Sequence, residues 1–283
     1  MELGQEEYGD RDMIIGGKEF DTKRHCYIMG ILNVTPDSFS DGGKWNNMDA
    51  ALVHAEEMVR EGAAILDVGG ESTRPGHIQI TDEEEIARVT PVIEALKARF
   101  DVPVSIDTYK SKVAEAALAA GADLVNDIWG LKYDPRMAEV IAKSGAACCL
   151  MHNREEAVYD DFLADVLEDL RETVRLAKEA GIREDGICLD PGIGFGKTYE
   201  MNLEMMKYLP LMHELEYPIL LGTSRKSMIG LTLDLPSDQR EEGTMATTVM
   251  GVMYGCGFVR VHDVRTNARA IKMTEAILRE HEV

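Results

Sequence analysis

Eight short apolar runs recur along the chain, each followed by a polar or glycine-rich turn and then by an amphipathic stretch. They occupy residues 27–32, 63–68, 102–106, 124–125 with Ile128, 146–151, 186–189, 218–221 and 257–261. Their apolarity is continuous rather than alternating, which is the pattern of strands covered on both faces. Spacings of roughly 20 to 40 residues suit successive βα units with loops of variable length. The repeat predicts an α/β fold, a parallel sheet closed into a (β/α)8 TIM barrel. A length of 283 residues fits one such domain, and no Pro/Gly/Ser-rich tract divides it.

The segments between the runs read as helices. Residues 49–61 place their apolar side chains on one side and stop at Gly62. Thr81 and Glu84 form a candidate capping box for a helix reaching Arg99. A long amphipathic helix is expected over 157–180, ending at Gly181, and a last one from Thr266 or Asn267 almost to the end. Ahead of the first run, residues 13–15 and 18–20 flank Gly16-Gly17, the signature of a small β-hairpin able to cap one end of the barrel. Residues 1–12 are read as a polar N-terminal segment and 13–283 as the barrel domain.

Composition narrows the classes of partner. A formal net charge of -21 argues against nucleic acid, whose phosphates need a basic surface. No run approaches the roughly 18 apolar residues of a membrane span, and the acidic first residues lack the apolar core of a secretory signal. A soluble cytoplasmic protein is expected. The five cysteines are odd in number, form no C-x-x-C and lie in apolar surroundings, so they read as buried free thiols.

Polar groups gather where the runs end. In order they are Asn33, then residues 69–74, Asp107, Asn126 with Asp127, His152, Asp190, residues 222–226, and Arg260 with His262. Strand ends of a (β/α)8 barrel converge on one face, where the active sites of this fold lie. Strands must end in something polar, and that accounts for several of these positions. It accounts poorly for Asp107, Asn126, Asp190 and Arg260, which sit inside or against apolar residues, where a polar group is costly without a partner. The carboxylates and amide suit a ring edge that presents adjacent N–H donors and a carbonyl. Arg74, Lys226, Arg260 and His262 suit phosphate or carboxylate.

Two tempting motifs carry less. Residues 190–198 end like a P-loop, but Pro191 stands where that loop needs its first glycine. The seven histidines include no H-x3-H pair or Cys/His cluster, so a zinc site is not expected. His152 fits ligand contact and support of another side chain equally well.

The stretch Met29-Gly30-Ile31-Leu32-Asn33-Val34-Thr35-Pro36-Asp37-Ser38-Phe39-Ser40-Asp41-Gly42-Gly43 closely resembles the first signature of the dihydropteroate synthases, and Gly62-Ala63-Ala64-Ile65-Leu66-Asp67-Val68-Gly69-Gly70-Glu71-Ser72-Thr73-Arg74-Pro75-Gly76 the second. Further matches are Ser105-Ile106-Asp107-Thr108, Asn126-Asp127-Ile128, Asp190-Pro191-Gly192-Ile193-Gly194-Phe195-Gly196-Lys197, Ser224-Arg225-Lys226-Ser227 and Arg260-Val261-His262-Asp263, in family order. The resemblance implies that Asp107, Asn126, Asp190 and Lys226 bind a pterin, with Met151, Phe195 and Gly222 lining its pocket. It places Asn33, Thr73, Arg260 and His262 around a diphosphate, Asn33 also on Mg2+. Phe39, Asp41, Arg74 and Pro75 match two mobile loops, and Phe39, Pro75, Lys226 and Ser227 a p-aminobenzoate pocket.

The implied activity is condensation of a dihydropterin methyl diphosphate with p-aminobenzoate in folate biosynthesis, with Asp107, Asp190, Lys226 and Arg260 as the catalytic set. A dissociative, SN1-like path follows from a cation delocalised into the pterin. The resemblance also implies a homodimer and a target of sulfonamides. One alternative is a pterin methyltransferase acting on a methylated folate, which has no use for the first two signatures. Another is a catalytically silent pterin-binding paralogue, against which every expected position is occupied.

Overall fold

The structure is a computed structural model that describes residues 12–34, 44–71 and 79–279. A two-stranded antiparallel hairpin comes first, β1 (Met13–Ile15) and β2 (Lys18–Phe20). Gly16 and Gly17 form its turn with φ of 58° and 77°, the left-handed pair that a tight hairpin requires. Eight parallel strands follow: β3 (Tyr27–Asn33), β4 (Ala63–Gly69), β5 (Val104–Asp107), β6 (Leu124–Asp127), β7 (Ala147–Met151), β8 (Ile187–Asp190), β9 (Leu220–Leu221) and β10 (Phe258–Val261). Their order is β8-β7-β6-β5-β4-β3-β10-β9, and a parallel bridge between Leu189 and Ile219 joins the two edges. The sheet is therefore a (β/α)8 barrel with an N-terminal hairpin.

Helices α1 (Lys44–Glu61), α2 (Asp82–Arg99), α3 (Ser111–Ala119), α4 (Met137–Ser144), α5 (Phe162–Ala180), α6 (Tyr199–Lys207), α7 (Ser227–Leu233), α8 (Glu241–Met253) and α9 (Val264–Leu278) alternate with the strands. Three start elsewhere than the sequence suggests: α1 begins at Lys44, five residues before the expected 49, and α5 and α9 also shift. Helix α5 begins five residues late, because Asp161 takes the capping position and accepts from the Ala164 amide at 3.3 Å. Helix α9 begins early, capped by Asp263 on the Thr266 amide at 2.8 Å. Only half of the expected capping box forms. Thr81 accepts from the Glu84 amide at 3.2 Å, but the Glu84 carboxylate turns to Arg88.

Alternation along the strands divides the core in two. Outward residues such as Ile28, Leu32, Leu66, Val68, Ile106 and Leu150 pack under the helices. Inward residues near the strand starts, Met29, Ile65, Leu124, Cys149, Cys188, Leu220 and Phe258, form a second core, closed from below by Met13, Ile15 and Phe20 of the hairpin. All five cysteines are free and buried, as expected for thiols serving as small apolar fillers. Among the described residues no helix is long and apolar enough to cross a membrane.

Candidate active site

A period of two carries the inward side chains upward from that floor. Two residues beyond Ile65, Leu124, Cys149, Cys188, Leu220 and Phe258 come Asp67, Asn126, Met151, Asp190, Gly222 and Arg260. Two beyond Ser105 on β5 comes Asp107. Asp107, Asn126, Asp190 and Arg260, selected from sequence, thus meet inside one barrel mouth, and the structure adds Asp67. Its carboxylate is fully buried inside β4, a charge within an apolar run. That is the signal used for Asp107 and Asp190, one residue layer deeper.

Arg260 is the hub. Its Nε donates to Asp67 Oδ2 and its Nη2 to Asp107 Oδ2, both at 2.6 Å. Asn126 Nδ2 donates to the same Asp67 oxygen at 3.4 Å. The sequence reading grouped Arg260 with His262; here its guanidinium is held among the acids. Burial lowers the Arg260 pKa, but Asp67 and Asp107 outweigh it and hold the group above its ordinary value. Burial pushes Asp107 up to about 7 against the pull of Arg260, and the nearby Asp67 adds to the rise. One guanidinium serves two carboxylates, so Asp107 ionises reluctantly. Among the described residues, Asp67 Oδ1, Asp107 Oδ1 and Ser105 Oγ are buried with no hydrogen-bond partner. Such atoms await donors.

Asp190 and Lys226 face each other across the mouth. Asp190 Oδ1 accepts from the Gly192 amide at 2.6 Å. A Cβ on Gly222 would stand 3.3 Å from Asp190 Oδ2 and 3.8 Å from Lys226 Nζ, so glycine leaves open the space between them. Lys226 Nζ donates to the Ile193 carbonyl and lies 4.7 Å from the centre of the Phe195 ring. Burial lowers Lys226 to about 8, with Asp190 holding its proton, and burial raises Asp190 against the pull of Lys226. Arg225, just before the lysine, has φ of 58°, a strained conformation for a residue with a side chain. The Thr244 hydroxyl on its amide at 3.1 Å and Arg240 on its carbonyl at 2.9 Å fix that turn. Met151 and Phe195 join Tyr109, Ile128 and Trp129 in a separate apolar cluster.

The remaining candidates divide. Asn33 ends β3, and a Cβ on Gly69 would come within 3.3 Å of its Oδ1 and 3.8 Å of Asp107 Oδ2. His262 follows β10, its Nδ1 2.8 Å from Ser224 Oγ. Ser227 opens α7 and is exposed. Phe39, Asp41, Thr73, Arg74 and Pro75 lie outside the described residues. His152 does not face the pocket contents: its side chain is fully buried between Lys197 and Asp169.

A barrel mouth offering acids and an amide to N–H donors, with two cations beside them, suits a pterin. Residues 29–262 match the model of the pterin-binding enzyme family. The chain belongs to that family. Within it the chain is 61% identical over 268 residues to a dihydropteroate synthase of Clostridium beijerinckii, covering 94% of this chain and 100% of that one. It resembles the crystal structure of the Clostridium difficile dihydropteroate synthase with pteroic acid, at 52% identity and a TM-score of 0.90 over 92% of this chain and 99% of the other. It also resembles the Xanthomonas albilineans dihydropteroate synthase with 4-aminobenzoic acid, at 40% identity and a TM-score of 0.90 over 95% and 99%. Its place among the pterin-binding enzymes is with the dihydropteroate synthases.

Proposed function

We propose that this barrel joins (7,8-dihydropterin-6-yl)methyl diphosphate to p-aminobenzoate, releasing diphosphate and 7,8-dihydropteroate. The observation that carries the site assignment is the buried, unpartnered oxygens of Asp67 and Asp107 on inward strand positions, with Asp190 and Lys226 flanking the gap at Gly222. The pterin's amino and ring N–H groups supply the missing donor to Asp107 and donate to Asp190, while Asn126 and Lys226 meet its acceptors. Hydrogen bonds from the ligand favour the ionised form of carboxylates that burial otherwise raises. Those carboxylates, anionic beside the ring, then stabilise the positive charge that spreads into it as diphosphate departs from the methylene. The arylamine nitrogen is unprotonated near neutral pH and attacks this carbon without a strong general base. The C–O bond breaks with its electrons going to diphosphate, the C–N bond forms, and the amine proton leaves to solvent.

Arg260 keeps Asp107 in place from below, and His262 with Asn33 borders the leaving group. The donor set fits Mg2+: the ion takes oxygen ligands, few from protein when it travels with a phosphate, and Asn33 offers an amide oxygen at the pocket rim. When bound there it would neutralise charge on the departing diphosphate. Thr73 joins that rim, Phe39, Asp41, Arg74 and Pro75 close over the pterin, and Phe39, Pro75, Lys226 and Ser227 complete the arylamine pocket, on the strength of the signature matches. The same matches support a cytoplasmic homodimer that sulfonamides inhibit. Mixing the purified protein with the pterin diphosphate, Mg2+ and p-aminobenzoate tests the reading. Dihydropteroate and diphosphate should appear in equal amounts, and diphosphate release without coupled product would refute it.

A further inference from the structure

The segment that imitates a P-loop has an arrangement of its own. Gly192, Gly194 and Gly196 all have positive φ, and each lets a neighbour come close. A Cβ would meet the His152 carbonyl at 1.9 Å from Gly192, the Lys226 side chain at 3.2 Å from Gly194, and the Arg154 backbone at 2.5 Å from Gly196. The loop is pressed against the His152 carbonyl, the Lys226 side chain and the Arg154 backbone at its three glycines. Lys197 turns back into it. Its Nζ lies 2.7 Å from His152 Nδ1 and donates to the Gly192 and Phe195 carbonyls at 3.1 Å each. Three acceptors use all three protons of the ammonium.

His152 receives one of those protons at Nδ1, so its own proton sits on Nε2 and is donated to Asp169 Oδ2 at 3.1 Å. Arg154 Nε donates to the same oxygen at 2.7 Å. Burial lowers His152 to about 4, which keeps it neutral as an acceptor should be. Burial likewise lowers Lys197, to about 7; Asp190 and Asp169 hold its proton, and Lys226 and Arg154 oppose them. On its other side the loop hands the Ile193 carbonyl to Lys226 and sets the Phe195 ring against the same lysine.

We infer that Lys197 is a positioning residue for the pterin pocket: its ammonium, seated on His152, holds the 192–196 turn so that Phe195 and the Ile193 carbonyl fix Lys226. The inference rests on the proposed pterin site and assigns the lysine no contact with substrate. Lys197→Met keeps the length of the side chain and removes the three donors. Its dissociation constant for 6-hydroxymethylpterin, measured by calorimetry, should rise about tenfold. In turnover the KM for the pterin diphosphate should rise with kcat changed less than threefold, a split that general loosening would not give. The Lys197→Met/Phe195→Ala double variant should lose less than the product of the two single losses, since the lysine acts in part through that ring. Wild-type affinity in folded Lys197→Met, or losses that multiply in the double variant, overturns the inference. Should Lys197→Met not fold, Lys197→Gln must lose at least threefold in the same titration, and full affinity there overturns it equally. Failure of the catalytic reading is a separate result, because it shows in wild-type protein that makes no dihydropteroate.

Discussion

On β10, Phe258 and Arg260 point into the same barrel interior two residues apart, and the two positions do opposite work. Phe258 packs on Phe20 and Tyr27 in the floor, where removing apolar surface from water stabilises the fold. Arg260 sits where burial costs, and it is tolerable only because Asp67 and Asp107 take its charge. The same change occurs between Ile65 and Asp67, Leu124 and Asn126, and Cys188 and Asp190. One register rule thus builds both ends: the lower layer supplies stability and the upper layer spends some of it on acceptors left open for a ligand.

Substitutions at the two ends should separate stability from chemistry. Arg260→Ala leaves two carboxylates facing each other without a cation, and removing one partner of a buried pair costs about 3–5 kcal/mol. Denaturant unfolding should show that loss, and turnover should fall at least about a thousandfold, roughly 4 kcal/mol in the barrier. Phe258→Ala should lose a similar ~3–5 kcal/mol of stability through the cavity it leaves. Its folded fraction, however, should retain kcat within a few-fold. Full catalytic loss in Phe258→Ala would erase the distinction. Asp107→Asn should do the reverse: Asp67 still pairs with Arg260, so the stability lost should be well below that of Arg260→Ala, while turnover at saturating substrates falls about a hundredfold, roughly 3 kcal/mol.

Two pH effects are expected, of opposite origin. His152 is neutral in the fold, with a pKa lowered to about 4 from 6.5. The unfolded chain therefore binds an extra proton as pH falls through 6.5, and stability declines from there to about 4, by up to about 3 kcal/mol. Urea midpoints across that range check this, and His152→Gln should flatten the slope. In the site, Asp107 gives up its charge below about 7 and Lys226 above about 8. The pH profile of kcat/KM, which reports the free enzyme, should be bell-shaped, with Asp107 on the acid limb and Lys226 and Lys197 on the alkaline one. Asp107→Asn should remove its acid limb only.

The strands and most of the pocket were legible because a charge inside an apolar run is costly and has to be explained. Asp107, Asn126, Asp190 and Arg260 all gave that signal. Asp67 gave it too but lies one layer below the strand end, so it read as part of the run. The partners of Arg260 were not legible, because pairing of β10 with β3 and of β3 with β4 brings residues 67 and 260 together across 193 positions of chain. Lys197 was hidden by its motif: the sequence showed that Pro191 spoils a P-loop but not which way the lysine turns. The starts of α5 and α9 moved because Asp161 and Asp263 outcompete the apolar pattern as caps.

Asp190 tests the division between the two ends most directly, since it stands two residues above Cys188 in the floor and beside the gap at Gly222. Asp190→Asn preserves an oxygen for the Gly192 amide and removes only the charge. Turnover and unfolding free energy should be measured on one preparation. The account predicts turnover lower by at least about a hundredfold, roughly 3 kcal/mol, with stability equal to or above that of the parent protein. Undiminished turnover, or a loss fully matched by unfolding, would contradict it.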